Sequence, residues 1–235
     1  MVKLLDCTTR DGGYSTNWNY SDEYIFDLIE HLKINKINFF EIGYRNYYDN
    51  YGKGDFYYCT PNLIKKFYDK KGELSLGIMV DTKRYNESDF PDGNKDCVDF
   101  VRIATHPDRI KDTLVIAETL KSKNYKVMIQ LMDISNLLDE HYELLKNWQN
   151  KNFLEVLYLA DTYGIVTSDK LGVIYNKIKK IGYSNIGFHA HNKTQQALSN
   201  SLKVINLGAY SVDVVQEAGG INGGNLLYNN LIKRR

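Results

Sequence analysis

The chain has 235 residues, 43% of them apolar, with 30 Lys and Arg against 29 Asp and Glu for a formal charge of +1. That length can bury a large core, and the balanced charge removes the electrostatic case for nucleic acid or an anionic membrane as partner. No apolar run approaches the roughly 18 residues of a membrane span. Met1–Asp6 turns charged too early for a signal peptide, and Cys7, Cys59 and Cys97, widely spaced and odd in number, suit reduced thiols in the cytoplasm.

Along the chain, apolar β-branched runs alternate with segments of helical period. Strands are expected at Lys3–Cys7, Asn38–Tyr44, Leu74–Val80, Asp99–Thr105, Lys126–Asp133, Leu154–Asp161, Asn185–His191 and Ser211–Gln216. Helices are expected at Asp22–Lys33, Pro61–Lys70, His106–Lys123, Asn136–Asn150, Ser168–Ile181 and Thr194–Leu207. Ser21 before Asp22-Glu23 is a sound helix start, as is Ser168-Asp169. Gly182 and Gly208 sit where helices should stop. Only the connection 81–96 reads as a polar loop. Strands about 30 residues apart and separated by helices predict a closed (β/α)₈ TIM barrel, one domain over residues 1–235. A doubly wound open sheet is the alternative, but the chain has no G-x-G-x-x-G turn after its first strand. After the eighth strand the segment 225–235 allows about three helical turns, so the final helix is expected to be short or truncated.

In a barrel the chemistry collects where strands run into the following loops. Gly187-Phe188-His189-Ala190-His191-Asn192 ends the seventh strand. Residues i and i+2 of a strand share a face, so His189 and His191 offer two imidazoles side by side. Asp11, after the first strand, supplies a carboxylate, and the three together suit a divalent ion with open positions. Asn225 could add an amide oxygen, which favours a hard ion, Mn²⁺ or Mg²⁺; ligand type alone admits Zn²⁺ or Fe²⁺ as well. Arg10 is placed to hold an anionic oxygen in a fork of donors. Glu41, costly to bury without a cation, can pair with Arg10 or Arg102 at the site's floor. Tyr14 could move a proton if its phenol is polarised. Asp161 reads as a scaffold anchor, and His31 and His141 as solvent-facing helix residues. The glycines at 219, 220, 223 and 224 would let backbone approach a ligand.

Leu5-Asp6-Cys7-Thr8-Thr9-Arg10-Asp11-Gly12-Gly13-Tyr14 together with His189-Ala190-His191-Asn192 resembles the DRE-TIM metallolyase superfamily, and most of all its 4-hydroxy-2-oxovalerate aldolase branch. Val101-Arg102-Ile103-Ala104-Thr105-His106 and Leu159-Ala160-Asp161-Thr162 extend the likeness, which runs from Lys3 to Asn225. The resemblance implies a metal-dependent barrel that makes or breaks carbon–carbon bonds beside a carbonyl. It implies Asp11, His189, His191 and Asn225 as metal ligands and Arg10 as the residue that stabilises the enolate oxygen. Tyr14 stands where the hydroxy-oxovalerate aldolases carry a histidine acid/base. Arg10, Glu41, Arg102 and Thr162 are the expected substrate contacts. Ile221 stands where related sequences often carry an arginine, and the C-terminal region that pairs such aldolases with a dehydrogenase is missing, so that partner is not expected.

The reading is an aldolase that forms or cleaves a 2-oxo acid through a pyruvate-type enolate, with a 2-oxo acid and an aldehyde as small-molecule partners. A homo-oligomer is compatible with it. The alternatives are a Claisen-type acyltransferase joining an acyl-CoA to a 2-oxo acid, and a degenerate barrel without catalysis.

Overall fold

The computed structural model describes residues 2–47, 52–217 and 219–234. Eight strands follow one another around a closed barrel: β1 (Lys3–Asp6), β2 (Phe39–Tyr44), β3 (Ser75–Asp81), β4 (Phe100–Thr105), β5 (Lys126–Leu131), β6 (Val156–Asp161), β7 (Ile186–Ala190) and β8 (Ser211–Val214). Each strand pairs in parallel with the next, and β8 closes on β1 through Lys3↔Ser211 to Asp6↔Val214. The helices are α1 (Thr8–Thr16), α2 (Asp22–Ile34), α3 (Asp55–Tyr58), α4 (Pro61–Tyr68), α5 (Ile110–Ser122), α6 (Asp139–Asn147), α7 (Ser168–Lys180), α8 (Ala197–Asn206) and α9 (Tyr228–Ile232). The expected TIM barrel is therefore the fold.

Strand alternation sorts the apolar side chains into two cores. Leu5, Cys7, Phe39, Phe100, Met128, Val156, Tyr158 and Val215 fill the barrel. Leu4, Ile42, Val101, Ile103, Val127, Ile129, Leu157 and Phe188 belong to the larger core with the helices. The expected punctuation also holds. Ser21 Oγ accepts the Tyr24 amide at 3.1 Å, and Gly182 and Gly208 end helices at φ +103° and +92°. One cap shifts by a residue: Thr167, not Ser168, accepts the Lys170 amide and opens α7. The connection 81–96 carries two short 3-10 turns, Thr82–Arg84 and Glu87–Asp89. The last helix is short, with 5 residues. Among the described residues no helix is long and apolar enough to cross a membrane.

Two local features bear on the site. The segment after β1, which reads as a strand-end loop with paired glycines, is the helix α1. Trp18 explains it: the indole lies on the helix backbone, where a Cβ on Gly13 would stand 2.1 Å from Trp18 Nε1. That Nε1 donates to the Arg10 carbonyl at 2.9 Å. The second feature is a bulge in β2, where the register with β3 shifts between Glu41 and Gly43. Gly43 pairs with Ile78 and Tyr44 with Met79, whereas Glu41 pairs with Gly77. Glu41 and Tyr44 thus face the barrel interior together, and Gly43 turns outward, where a Cβ would lie 2.0 Å from the Phe56 carbonyl oxygen.

Candidate metal centre

Asp11 is delivered by the first turn of α1, His189 by β7, His191 by the residue just beyond it, and Asn225 by the segment after β8. A backbone bridge between His191 and Asn225 ties the last two together. All four are buried, at 7% exposure or less. Asp11 Oδ2 lies 3.4 Å from His189 Nε2 and 3.6 Å from His191 Nε2.

The ring tautomers follow from what each Nδ1 touches. His189 Nδ1 is 2.8 Å from Asp213 Oδ2, and His191 Nδ1 is 3.2 Å from the Asp161 carbonyl oxygen. Both partners only accept, so each neutral ring carries its proton on Nδ1 and turns a bare Nε2 lone pair toward Asp11. Asp11 Oδ2, His191 Nε2 and Asn225 Oδ1 have no hydrogen-bond partner although buried. Asn225 Nδ2 is 3.3 Å from His189 Nε2, and a Cβ on Gly220 would stand 2.6 Å from Asn225 Oδ1 and 3.7 Å from Asp11 Cγ. Asp11 Oδ2, His191 Nε2 and Asn225 Oδ1 are thus acceptors left without a donor, which a cation between them would satisfy. Separations of 3.4 and 3.6 Å are long for hydrogen bonds but close to the roughly 3 Å expected between neighbouring ligands that each stand about 2.1 Å from one ion. The donor set fits a divalent metal. Cys7, His189 and Asp213 form a second cluster of potential ligands, but Asp213 Oδ2 is taken by His189 and Arg102, and burial pushes the Cys7 thiol up, so it stays protonated.

A closed ring of charged groups supports the cluster. Arg10 Nη1 donates to Asp11 Oδ1 at 2.8 Å and its Nε to Glu41 Oε1 at 2.6 Å. Arg102 donates to Glu41 through Nε at 2.6 Å and Nη2 at 2.5 Å, and to Asp213 through Nη1 at 2.7 Å. Asp213 returns the ring to His189. Burial alone would lift the Asp11 carboxyl, but Arg10 and contact with His189 and His191 hold it well below the usual carboxylate range. Burial would likewise raise Asp213, and Arg102 and His189 lower it. Burial would lower His189, while Asp11 and Asp213 raise it. Arg10 Nη2 is buried and has no partner, a free N–H beside the carboxylate.

The other expected residues fall differently. Glu41 and Arg102 lie on the floor of the site, 0% exposed, and are engaged with each other; they orient Arg10 and His189 through hydrogen bonds already made. Thr162 accepts the Asp133 amide at 2.7 Å, in the loop after β6. Tyr14 is 48% exposed and its hydroxyl is 3.3 Å from that of buried Tyr44. Asp161 is a loop anchor that accepts the Ile165 and Val166 amides at 3.0 and 3.1 Å. His31 is exposed, whereas His141 caps its own helix by accepting the Leu138 amide at 2.9 Å. Sequence reading missed Asp213, whose signal is a lone acid in the apolar run Ser211-Val212-Asp213-Val214-Val215. The end of the second strand, Glu41-Ile42-Gly43-Tyr44-Arg45, reads as part of the mouth, but the bulge that aims Tyr44 inward leaves no pattern in the sequence.

No protein-family model matches the chain. It is 23% identical over 224 residues to oxaloacetate decarboxylase of Mycobacterium tuberculosis, covering 94% of this chain and 66% of the relative. It is 23% identical over 234 residues to 4-hydroxy-2-oxovalerate aldolase of Carboxydothermus hydrogenoformans, covering 95% and 67%. The chain thus spans about two thirds of the length of the curated relatives it matches. The N-terminal domain of a candidate aldolase from Bacteroides vulgatus superposes with TM-score 0.86 at 27% identity, over 99% of this chain and 79% of that one. The chain fits the DRE-TIM metallolyase superfamily. The carboxyl transferase domain of Rhizobium etli pyruvate carboxylase shares the barrel fold, with TM-score 0.76 at 14% identity over 99% of this chain and 43% of that one.

Proposed function

We propose that the chain is a divalent-metal-dependent carbon–carbon lyase that forms or cleaves a 2-oxo acid through a pyruvate-type enolate, as an aldolase does. The observation that carries this reading is the convergence of Asp11 Oδ2, His189 Nε2 and His191 Nε2 beside the unpaired N–H of Arg10. Asp11, His189, His191 and Asn225 would hold the ion, a set of imidazoles and oxygens that suits Mn²⁺ or Mg²⁺. Bound there, the ion would supply a Lewis acid to the oxygens of a 2-oxo acid. Names of the relatives, an aldolase and a decarboxylase of 2-oxo acids, support the same class.

The chain's own groups supply the rest. The ring of Asp11, Glu41 and Asp213 against Arg10 and Arg102 carries a net charge of −1 with neutral histidines (two minus three). A divalent ion turns that into an excess of one positive charge, matched to an anionic substrate. Arg10 Nη2 donates to the oxygen that gains charge as the carbon–carbon bond breaks. Tyr44 is kept neutral because burial, with Tyr14 beside it, pushes its phenol well up. A neutral phenol is a proton donor, and Tyr14, half in solvent, can resupply it through the 3.3 Å hydroxyl contact. Loss of carbon dioxide from oxaloacetate would release the same enolate, and the decarboxylase relative favours that as the second reading.

The test is deuterium exchange. With Mn²⁺ or Mg²⁺ and pyruvate in D₂O, the protein should remove the methyl proton signal faster than metal alone, and His191→Ala and Asp11→Asn should abolish the difference. No exchange above the metal control, across several 2-oxo acids, would sink the enolate reading.

A further inference from the structure

Gln130 is the one buried amide of β5 that faces the barrel mouth, and neither the ion cluster nor the charged ring uses it. Met128 belongs to the barrel interior, and Gln130, two residues further on, shares that face one layer nearer the mouth. Its side chain is buried, with the residue 3% exposed, and its Oε1 has no partner. In register it lies between Ala104 on β4 and Tyr158 on β6. The nearby cation, Arg102, stacks 4.6 Å from the Tyr158 ring and is already closed by Glu41 and Asp213.

Strand order decides what Gln130 can meet. The strands run β1 to β8 around the barrel, so β5 stands opposite β1. Arg10 and Asp11 follow β1, and His189 and His191 come from β7. An eight-stranded barrel is only wide enough inside for side chains or one small ligand. A molecule held at Asp11 therefore extends across the mouth, and its far end, not its reacting oxygens, arrives at Gln130. An amide both accepts and donates. A hydroxyl is its complement, because it gives a proton to Oε1 and takes one from Nε2. A distal carboxylate could take a proton from Nε2 but would set its charge against Oε1, with Arg102 beside it already paired, and an alkyl end would leave Oε1 unmatched in its buried position.

We propose that Gln130 selects a hydroxyl on the carbonyl partner, so that the substrate derives from a hydroxyaldehyde and carries a hydroxyl beyond the reacting carbon. This rests on the enolate reading above.

The experiment compares glycolaldehyde with acetaldehyde as partners for pyruvate and Mn²⁺, reading kcat/KM for each. The ratio of the two is unaffected by a general loss of folded enzyme. The wild-type ratio should favour glycolaldehyde, and Gln130→Leu should lower that ratio by at least about tenfold. Gln130→Glu, which still accepts a hydroxyl proton, should keep most of the preference. An unchanged ratio in Gln130→Leu, or loss of the preference in Gln130→Glu as complete as in Gln130→Leu, overturns the proposal while pyruvate exchange leaves the enolate reading standing. Absence of pyruvate exchange in the wild-type protein overturns both.

Discussion

Two of the buried guanidinium–carboxylate pairs, Arg45–Asp96 and Arg10–Asp11, differ in what they leave unpaired. Arg45 meets Asp96 with Nη1 at 2.5 Å and Nη2 at 3.3 Å, its Nε reaches the Cys59 carbonyl, and Tyr125 donates to Asp96 at 2.6 Å. Both carboxylate oxygens have partners. Arg10 and Asp11 are as deeply buried, yet Arg10 Nη2 and Asp11 Oδ2 have none, nor have His191 Nε2 and Asn225 Oδ1 close by. The first pair is complete within the chain and serves the fold. The second is complete only with something added, and the missing complement reads as a cation and an anionic oxygen. Between these two pairs, the unsatisfied atoms, not charge or burial, mark the proposed site off from the scaffold.

That division can be broken by substitution. Arg45→Met should cost about 3–5 kcal/mol in urea unfolding, because it strands the Asp96 charge, while the folded fraction keeps its metal affinity. Weakened metal binding in folded Arg45→Met would erase the distinction. A third carboxylate sharpens it. Asp6 is buried and hydrogen-bonded by the Thr8 amide, the Thr8 hydroxyl and Gln216 at 2.9, 3.0 and 2.8 Å, with no cation beside it. Burial there outweighs the hydrogen bonds and lifts its pKa to about 6. The folded state therefore binds the Asp6 proton more tightly than the unfolded chain does. Its contribution is full below about pH 4, is lost as pH rises through 6, and is flat above. Unfolding free energies measured from pH 4 to 7 should show Asp6→Asn gaining about 3 kcal/mol relative to the wild type. A constant difference across that window would contradict the assignment.

The legible parts of the site were those set by local geometry. His189 and His191 share a face because strands alternate, and Arg10-Asp11 follows a strand by simple adjacency. Strand and helix periods carried the barrel itself. What stayed hidden depends on distant partners. The helix α1 forms over paired glycines because Trp18 packs on its backbone, which no propensity records. Asp213 gains its role from Arg102 and His189, neither near it in sequence. Tyr44 faces inward only through a bulge that Gly43 and the Phe56 carbonyl enforce. The pairing of Glu41 with Arg10 and Arg102 on the floor, by contrast, was legible, because a lone buried carboxylate requires a cation.

The most direct measurement is a Mn²⁺ titration followed by electron paramagnetic resonance, on the wild-type protein and two variants. The wild type should bind one ion. Asp213→Asn, which loosens the His189 tautomer without removing a ligand, should weaken binding about 10–100-fold, and Asp11→Asn should weaken it further still. A wild-type protein that leaves Mn²⁺ free, or an Asp11→Asn variant that binds it as the wild type does, would contradict the metal centre on which the account stands.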